Sequence, residues 1–160
     1  MKSCLLLGSN LGDRLDLLAR AQAFVVRHCG RLIKASKIYE TEPWGFKADT
    51  LFLNQALLIE TDLTPQELLT HCLHIEALLG RERPADRSET YCSRYIDIDI
   101  LFYENLVCQT PELILPHPRL PLRTFALEPL VEVAPEWIHP TLGVTAAVLF
   151  YSLTNTGGAK

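Results

Sequence analysis

Several things are missing from this 160-residue sequence, and each absence narrows what it can be. No apolar run approaches the ~18 residues a spanning helix needs. The first apolar stretch, Cys4 to Leu7, is too short for the ~7–15-residue core of a signal peptide, and Asn10, Asp13 and Arg14 follow at once. There is no repeat, no low-complexity tract and no Gly/Ser linker, so one domain over residues 1–160 is expected. The five cysteines (Cys4, Cys29, Cys72, Cys92, Cys108) form no CxxC pair and are odd in number, which fits a reduced, cytoplasmic protein. Excess positive charge is also lacking. Fifteen Lys+Arg against nineteen Asp+Glu leave a net charge of −4, a poor match to nucleic acid or to an anionic membrane. Neither GxxxxGK[ST] nor GxGxxG occurs, so any nucleotide must be held without a Walker-type loop.

What is present reads as alternating strands and helices. Ser3–Gly8 is a predicted strand. Asp13 caps a helix running to about His28 and ended by Gly30, with Leu15, Leu18 and Val25 expected on its inner face and Asp16, Arg20 and Arg27 on the outer. A strand is predicted from Arg31 to about Tyr39, a loop over Glu40–Thr50 and a long strand over Leu51–Thr61. Thr64-Pro65-Gln66-Glu67 carries a capping box and a first-turn proline, opening a helix to Leu79 that stops at Gly80. After an irregular Arg81–Ser93, Tyr95–Phe102 is a strand. The order β-α-β-β-α-β is that of an α+β, ferredoxin-like antiparallel sheet. Its two helices are expected on one face, with the other face free for a ligand. The C-terminal extension from Leu106 carries seven of the ten prolines and is expected to wrap the domain in short strands and turns.

Chemistry concentrates in Ile96-Asp97-Ile98-Asp99-Ile100. Strand alternation sends the isoleucines one way and both aspartates the other, with roots ~6.6 Å apart at ~3.3 Å per residue. Such a pair holds a hard cation such as Mg²⁺, which takes one or two carboxylates plus substrate phosphates. Acids on a half-solvated strand are the plainer alternative, although two bare carboxylates on one face repel each other. Six arginines and no lysine lie between Arg81 and Arg123 (81, 83, 87, 94, 119 and 123). The guanidinium fork matches phosphate oxygens, and phosphoryl transfer depends mostly on positioning and charge neutralisation. Arg87 and Arg119, taken singly, read as ordinary surface residues. His117 sits between Pro116 and Pro118, close to this set. Gly8-Ser9-Asn10-Leu11-Gly12 reads as a turn more readily than as an anion nest. Glu67, His71 and His74 share a helical face, where solvation is a simpler account than zinc. Phe52 and Asn54 share a strand face, offering a flat apolar surface and an amide edge to a heterocycle, with Phe125 as a second ring.

The run of motifs GSNLG, Y-x-T-x-P-x-G-F, F-L-N, I-E-A-L-L-G-R-x-R, R-Y-I-D-I-D-I-L-F-Y, L-P-H-P-R-L and R-x-F-A-L-x-P-L, in this order over about residues 3–140, resembles the 6-hydroxymethyl-7,8-dihydropterin pyrophosphokinases of folate biosynthesis. The resemblance implies transfer of the β,γ-pyrophosphate of ATP to the pterin hydroxymethyl group, with release of AMP. It implies two Mg²⁺ ions on Asp97 and Asp99, with ATP as co-substrate. A monomer acting on small molecules, without nucleic acid or membrane, is expected. It places Arg83, Arg94, His117 and Arg123 on the triphosphate, with Arg83, Arg94, Asp97 and Asp99 as the catalytic set. Glu76, Tyr91 and Ile98 complete the nucleotide site. Gly8, Thr41, Trp44, Phe52, Asn54 and Phe125 form the pterin pocket, Trp44 mainly through its backbone. The segments Glu82–Ser93 and Glu42–Thr50 are expected to close over the substrates as lids.

Overall fold

The computed structural model describes residues 1–80 and 95–156. Strand β1 (Lys2–Ser9) leads into helix α1 (Arg14–His28), followed by β2 (Arg31–Ala35), β3 (Tyr39–Thr41) and β4 (Phe52–Glu60). Helix α2 (Pro65–Leu78) and strand β5 (Asp97–Tyr103) come next, then a hairpin of β6 (Cys108–Gln109) and β7 (Ile114–Leu115). A 3₁₀ turn (Leu120–Leu122), α3 (Thr124–Val133) and α4 (Ala146–Thr156) close the described chain. The main sheet runs β2-β4-β1-β5, with β3 also on β4, and every pair is antiparallel. The residues of the Glu82–Ser93 lid expectation lie outside the described residues.

Local chemistry explains the boundaries. The Asp13 carboxylate accepts from the Asp16 backbone N–H and starts α1. The chain turns at Gly30 because a Cβ there would lie 2.2 Å from the Glu60 carbonyl oxygen. The Thr64–Glu67 capping box forms in both directions at the start of α2. The strand expected over Arg31–Tyr39 is instead two strands. Ser36 interrupts it: its backbone N–H donates to the Ala56 carbonyl while its hydroxyl accepts from the Ala56 N–H, so a side chain replaces a ladder partner.

The sheet separates two apolar cores. On one face Leu5, Leu7, Leu57 and Ile59 meet Leu18 and Val25 of α1 and Leu68 and Ile75 of α2. The inner stripe of α1 is Leu17, Leu18, Ala21 and Val25; Leu15, expected inside, is 60% exposed because it stands about 100° round the helix from the centre of that stripe. On the other face Cys4, Leu6, Ala56, Leu58 and Phe102 meet Leu127, Leu130 and Ala146. Trp137 stacks on Phe102 at 4.4 Å.

This second core corrects two expectations. The C-terminal segment forms two helices in addition to short strands and turns, and the sheet face opposite α1 and α2 is half covered. Pro129 lies inside α3 and is buried. Its missing N–H disfavours a helix locally, but burial of Leu127, Leu130 and Val133 on the sheet outweighs that cost.

Candidate active site

The uncovered half of the second face carries the polar residues. Cross-strand register sets Gly8 of β1 opposite Asn54 of β4 on one side and Asp97 of β5 on the other. Two residues along, Leu6 sits between Ala56 and Asp99. Asp97 and Asp99 therefore share one face, as the alternation predicted, with Ile98 and Ile100 in the opposite core. All of these line a cavity of about 470 Å³ that wraps the β5 edge of the sheet.

At the β4 end of the cavity, Asn54 is 3% exposed, and its Nδ2 donates to Thr41 Oγ1 at 2.7 Å. That bond fixes the amide, with Oδ1 on the side of Gly8. Phe46 meets Phe52 edge-on at 5.9 Å, and Trp44 meets Phe125 at 6.4 Å with the rings tilted by 57°. Two flat apolar surfaces and one oriented amide thus face the same space. The segment between β3 and β4 is fastened at its far end, where Thr50 Oγ1 donates to the Asn10 carbonyl at 2.5 Å and Arg14 Nη1 to the Leu51 carbonyl at 2.8 Å.

At the β5 end the charges gather. Arg123 precedes α3 and is 6% exposed, with Nη1 3.9 Å from Asp99 Oδ2. His117 donates its backbone N–H to the Leu101 carbonyl at 2.9 Å, and its Nδ1 accepts the Arg119 N–H at 3.2 Å. The neutral ring then carries its proton on Nε2. Burial, and next the Arg123 charge, push the His117 pKa down to about 4, while Asp97 opposes them. The ring is neutral at physiological pH. Round the β5 edge, the buried Glu76 of α2 accepts the Ile98 backbone N–H at 2.8 Å on Oε1, which locks α2 to the strand carrying both aspartates.

Of the residues expected in the site, Gly8, Thr41, Trp44, Phe52, Asn54, Glu76, Asp97, Ile98, Asp99, His117, Arg123 and Phe125 line this one cavity. Arg83, Tyr91 and Arg94, with Arg81 and Arg87, lie outside the described residues. Arg119, read as a surface residue, lines the cavity as well, a correction. Its position two residues after His117 in L-P-H-P-R-L was the available signal. Phe46, Glu112 of the β6–β7 hairpin, and Leu69 and Leu73 of α2 also line the cavity and were not anticipated. GSNLG ends β1 and turns into α1, with Gly12 at φ 69°. The zinc alternative on α2 finds no support: Glu67 serves the capping box, His71 stacks on His28 at 6.4 Å, and no group of three metal-ligating side chains forms among the described residues.

The carboxylate pair tests its own metal. Among the described residues this strand face offers two carboxylates and no third ligating side chain, so further ligands from substrate and water would complete a site, a donor set that suits Mg²⁺ better than a caged Ca²⁺ or a structural Zn²⁺.

Comparison with known proteins agrees with this geometry. Residues 4–135 match the sequence profile of the 7,8-dihydro-6-hydroxymethylpterin-pyrophosphokinase (HPPK) family. The chain is 45% identical over 135 residues to a 2-amino-4-hydroxy-6-hydroxymethyldihydropteridine pyrophosphokinase of Porphyromonas gingivalis, covering 84% of this chain and 90% of that protein. It is 42% identical over 128 residues to the protein of the same name from Bacillus subtilis, covering 79% and 74%. Its fold is similar to a crystal structure of HPPK-DHPS in complex with substrates, at a TM-score of 0.79 and 16% identity. That match covers 99% of this chain and 44% of the other, so this chain spans under half the length of the two-enzyme protein.

Proposed function

The chain belongs to the 7,8-dihydro-6-hydroxymethylpterin-pyrophosphokinase family, and from that premise we propose how its residues divide the work. The reaction transfers pyrophosphate from ATP to 6-hydroxymethyl-7,8-dihydropterin, a step of folate biosynthesis. The pterin lies between Phe52 and Phe125, and Asn54, oriented by Thr41, reads its edge. Its hydroxymethyl group extends across Gly8 toward Asp97. Arg123, Arg119 and His117 take the polyphosphate, together with Arg83 and Arg94. Glu76, Tyr91 and Ile98 hold the nucleoside. Asp97 and Asp99 would hold Mg²⁺, two ions on the family's pattern, which would supply neutralisation of phosphate charge. The hydroxyl oxygen attacks the β-phosphorus in line: the new O–P bond forms, the bond from that phosphorus to the α-phosphate oxygen breaks, AMP departs and the hydroxyl proton is lost. On the family's pattern, Arg83 and Arg94 would stabilise the charge that develops on the transferring group.

The observation that carries this reading is the row Asn54–Gly8–Asp97, which sets the Asn54 amide and the Asp97 carboxylate on either side of one residue without a side chain. The strand order β2-β4-β1-β5, with a helix between β1 and β2 and another between β4 and β5, supports a ferredoxin-like core. We also propose that residues 1–160 act as one monomeric domain in the cytoplasm, with small-molecule substrates only. Two cores on a shared sheet support a single domain, and no helix among the described residues is long and apolar enough to cross a membrane. The test mixes ATP, Mg²⁺ and the pterin and follows AMP. AMP that appears only with pterin supports the reading. Phosphate released from ATP without pterin makes the protein a phosphohydrolase and sinks it.

A further inference from the structure

Two cations share one indole. The guanidinium carbon of Arg123 lies over the Trp44 ring, 4.8 Å from its centroid, and that of Arg119 lies 5.9 Å from it. Both fall within the ~6 Å reach of a cation–π contact. Arg123 also lies 5.4 Å from the Phe125 ring, which itself flanks Trp44. Arg123 is almost fully buried, and a desolvated cation is held more tightly by a ring face than a hydrated one. The ring therefore fastens the near part of the 42–51 segment to the residues that lead into α3, whereas the hydrogen bonds of Thr50 and Leu51 fasten its far end.

The shape of the guanidinium gives this contact a function. Its N–H donors lie in the plane at the edge, and its faces carry none. One arginine can give its edge to phosphate oxygens and its face to an indole at the same time. We infer that Trp44 is a positioning residue whose indole couples the two halves of the site. A polyphosphate that grips the edges of Arg119 and Arg123 holds both guanidiniums in place beside the ring. The 42–51 segment is thereby set against the cavity that Phe52 and Asn54 line, before the pterin enters. The inference rests on the proposed reading of the site. It adds a specific route between the substrates and gives Arg119 a share in it. Coupling of this kind is reciprocal: whatever the nucleotide does for pterin affinity, the pterin does for nucleotide affinity.

The experiment uses α,β-methylene-ATP with Mg²⁺, in which the bond to be broken is replaced and turnover is blocked. Calorimetry gives the pterin Kd with and without the analogue, and the ratio of the two is the coupling. In Trp44→Leu the ratio should shrink by about fivefold or more, the scale of a modest coupling energy, while the analogue alone binds within about twofold of the parent. Trp44→Phe retains a ring face and should keep most of the ratio. Fluorescence gives a second readout. The chain has two tryptophans, so Trp137→Phe leaves Trp44 as the reporter. Its emission should change on adding the analogue without pterin, and Arg119→Lys, which keeps the charge and loses the planar face, should diminish that change. A wild-type ratio of one overturns the inference, as does an undiminished ratio in Trp44→Leu, or a Trp44 emission that ignores bound analogue. A wild-type protein that binds neither analogue nor pterin removes the reading beneath it. One that binds both with the ratio intact in Trp44→Leu removes the inference alone.

Discussion

Along one face of the sheet, the same three strands carry opposite environments. Toward the Lys2 end of β1, the outward residues Cys4, Leu58 and Phe102 lie under α3 and α4 in a dry core. Toward the Ser9 end, the outward residues Gly8, Asn54 and Asp97 face a cavity. Leu6 belongs to both, since it packs in the core and lines the cavity. The change from one regime to the other takes two residues on each strand. Strand alternation decides which face a side chain is on, and the covering segment decides what that face does. The α3–α4 pair covers one end, and the residues leading into α3, with its first turn, supply Arg119, Arg123 and Phe125 to the other.

The sharpest way to break this comparison is to strip charge from the open end. Asp97→Ala or Asp99→Ala should lower AMP formation by about 10³-fold or more, the scale of losing a group that fixes transition-state charge. For Asp97→Ala the thermal midpoint should stay level or rise, because like charges on one face are relieved, whereas Asp99→Ala should lower it, since Asp99 lies 3.9 Å from the buried Arg123. A large fall in melting temperature with turnover retained would place the aspartates in the structural half. The complementary change at the covered end is Leu130→Ala. It should cost ~2–5 kcal/mol in urea unfolding, the range for a buried leucine, while the folded enzyme keeps its kcat and its pterin KM. A kinetic defect there without a stability loss would erase the distinction between the two ends.

Smaller effects sharpen it. Asn54→Ala should weaken pterin binding by ~1–3 kcal/mol through an unpaired polar edge, with the affinity for an ATP analogue unchanged by calorimetry. A nucleotide defect with intact pterin binding would reverse the assignment of the two halves. The smallest effect lies on the seam between α3 and β3, where the Tyr39 hydroxyl donates to Glu132 at 2.6 Å. That bond to Glu132 is the main cause raising the Tyr39 pKa to about 12 and lowering that of Glu132. The phenol's contribution is therefore complete below its ordinary value of ~10 and lost as the pH climbs through about 12. The carboxylate's contribution is present above the ordinary carboxylate range and lost as the pH falls through its lowered value. Tyr39→Phe should cost about 0.5–1.5 kcal/mol at neutral pH, and denaturant melts of parent and variant should converge at the alkaline end. A gap that persists unchanged above pH 12 would deny the bond this role.

Much of the open end was legible in the sequence because its signals are local. The Asp97/Asp99 alternation, the Phe52/Asn54 pair and the Thr64 capping box each follow from residues a few positions apart, and each is found in place. The covered end was not legible. Seven prolines after Leu106 argue locally against helices, and only the apolar sheet face, remote in sequence, makes α3 and α4 stable. Arg119 was misread for a similar reason. Its nearness to His117 was the one local signal, and the ring beside it belongs to a tryptophan 75 positions earlier. Leu15 failed for want of an exact stripe centre, which the packing of α1 on the sheet defined.

Gly8 has a consequence for substrate dimensions. It is flanked by Asn54 and Asp97 on the two neighbouring strands, and strands lie ~4.8 Å apart, so the amide and the carboxylate are rooted ~9.6 Å from each other across the sheet. The missing side chain makes this interval a trough, since a Cβ at Gly8 would already stand 3.4 Å from Asn54 Oδ1. On the proposed reading, the trough acts as a gauge. A heterocycle with its polar edge on Asn54 reaches the phosphate side only if its reactive oxygen sits at the end of a short arm lying flat across the strands. A ring without the arm stops short of the carboxylates, and a longer or branched arm must rise out of the trough and lose the line of attack. Selection for a hydroxymethyl group, one carbon beyond the ring, is then a property of strand spacing, set by the backbone before any side chain makes contact.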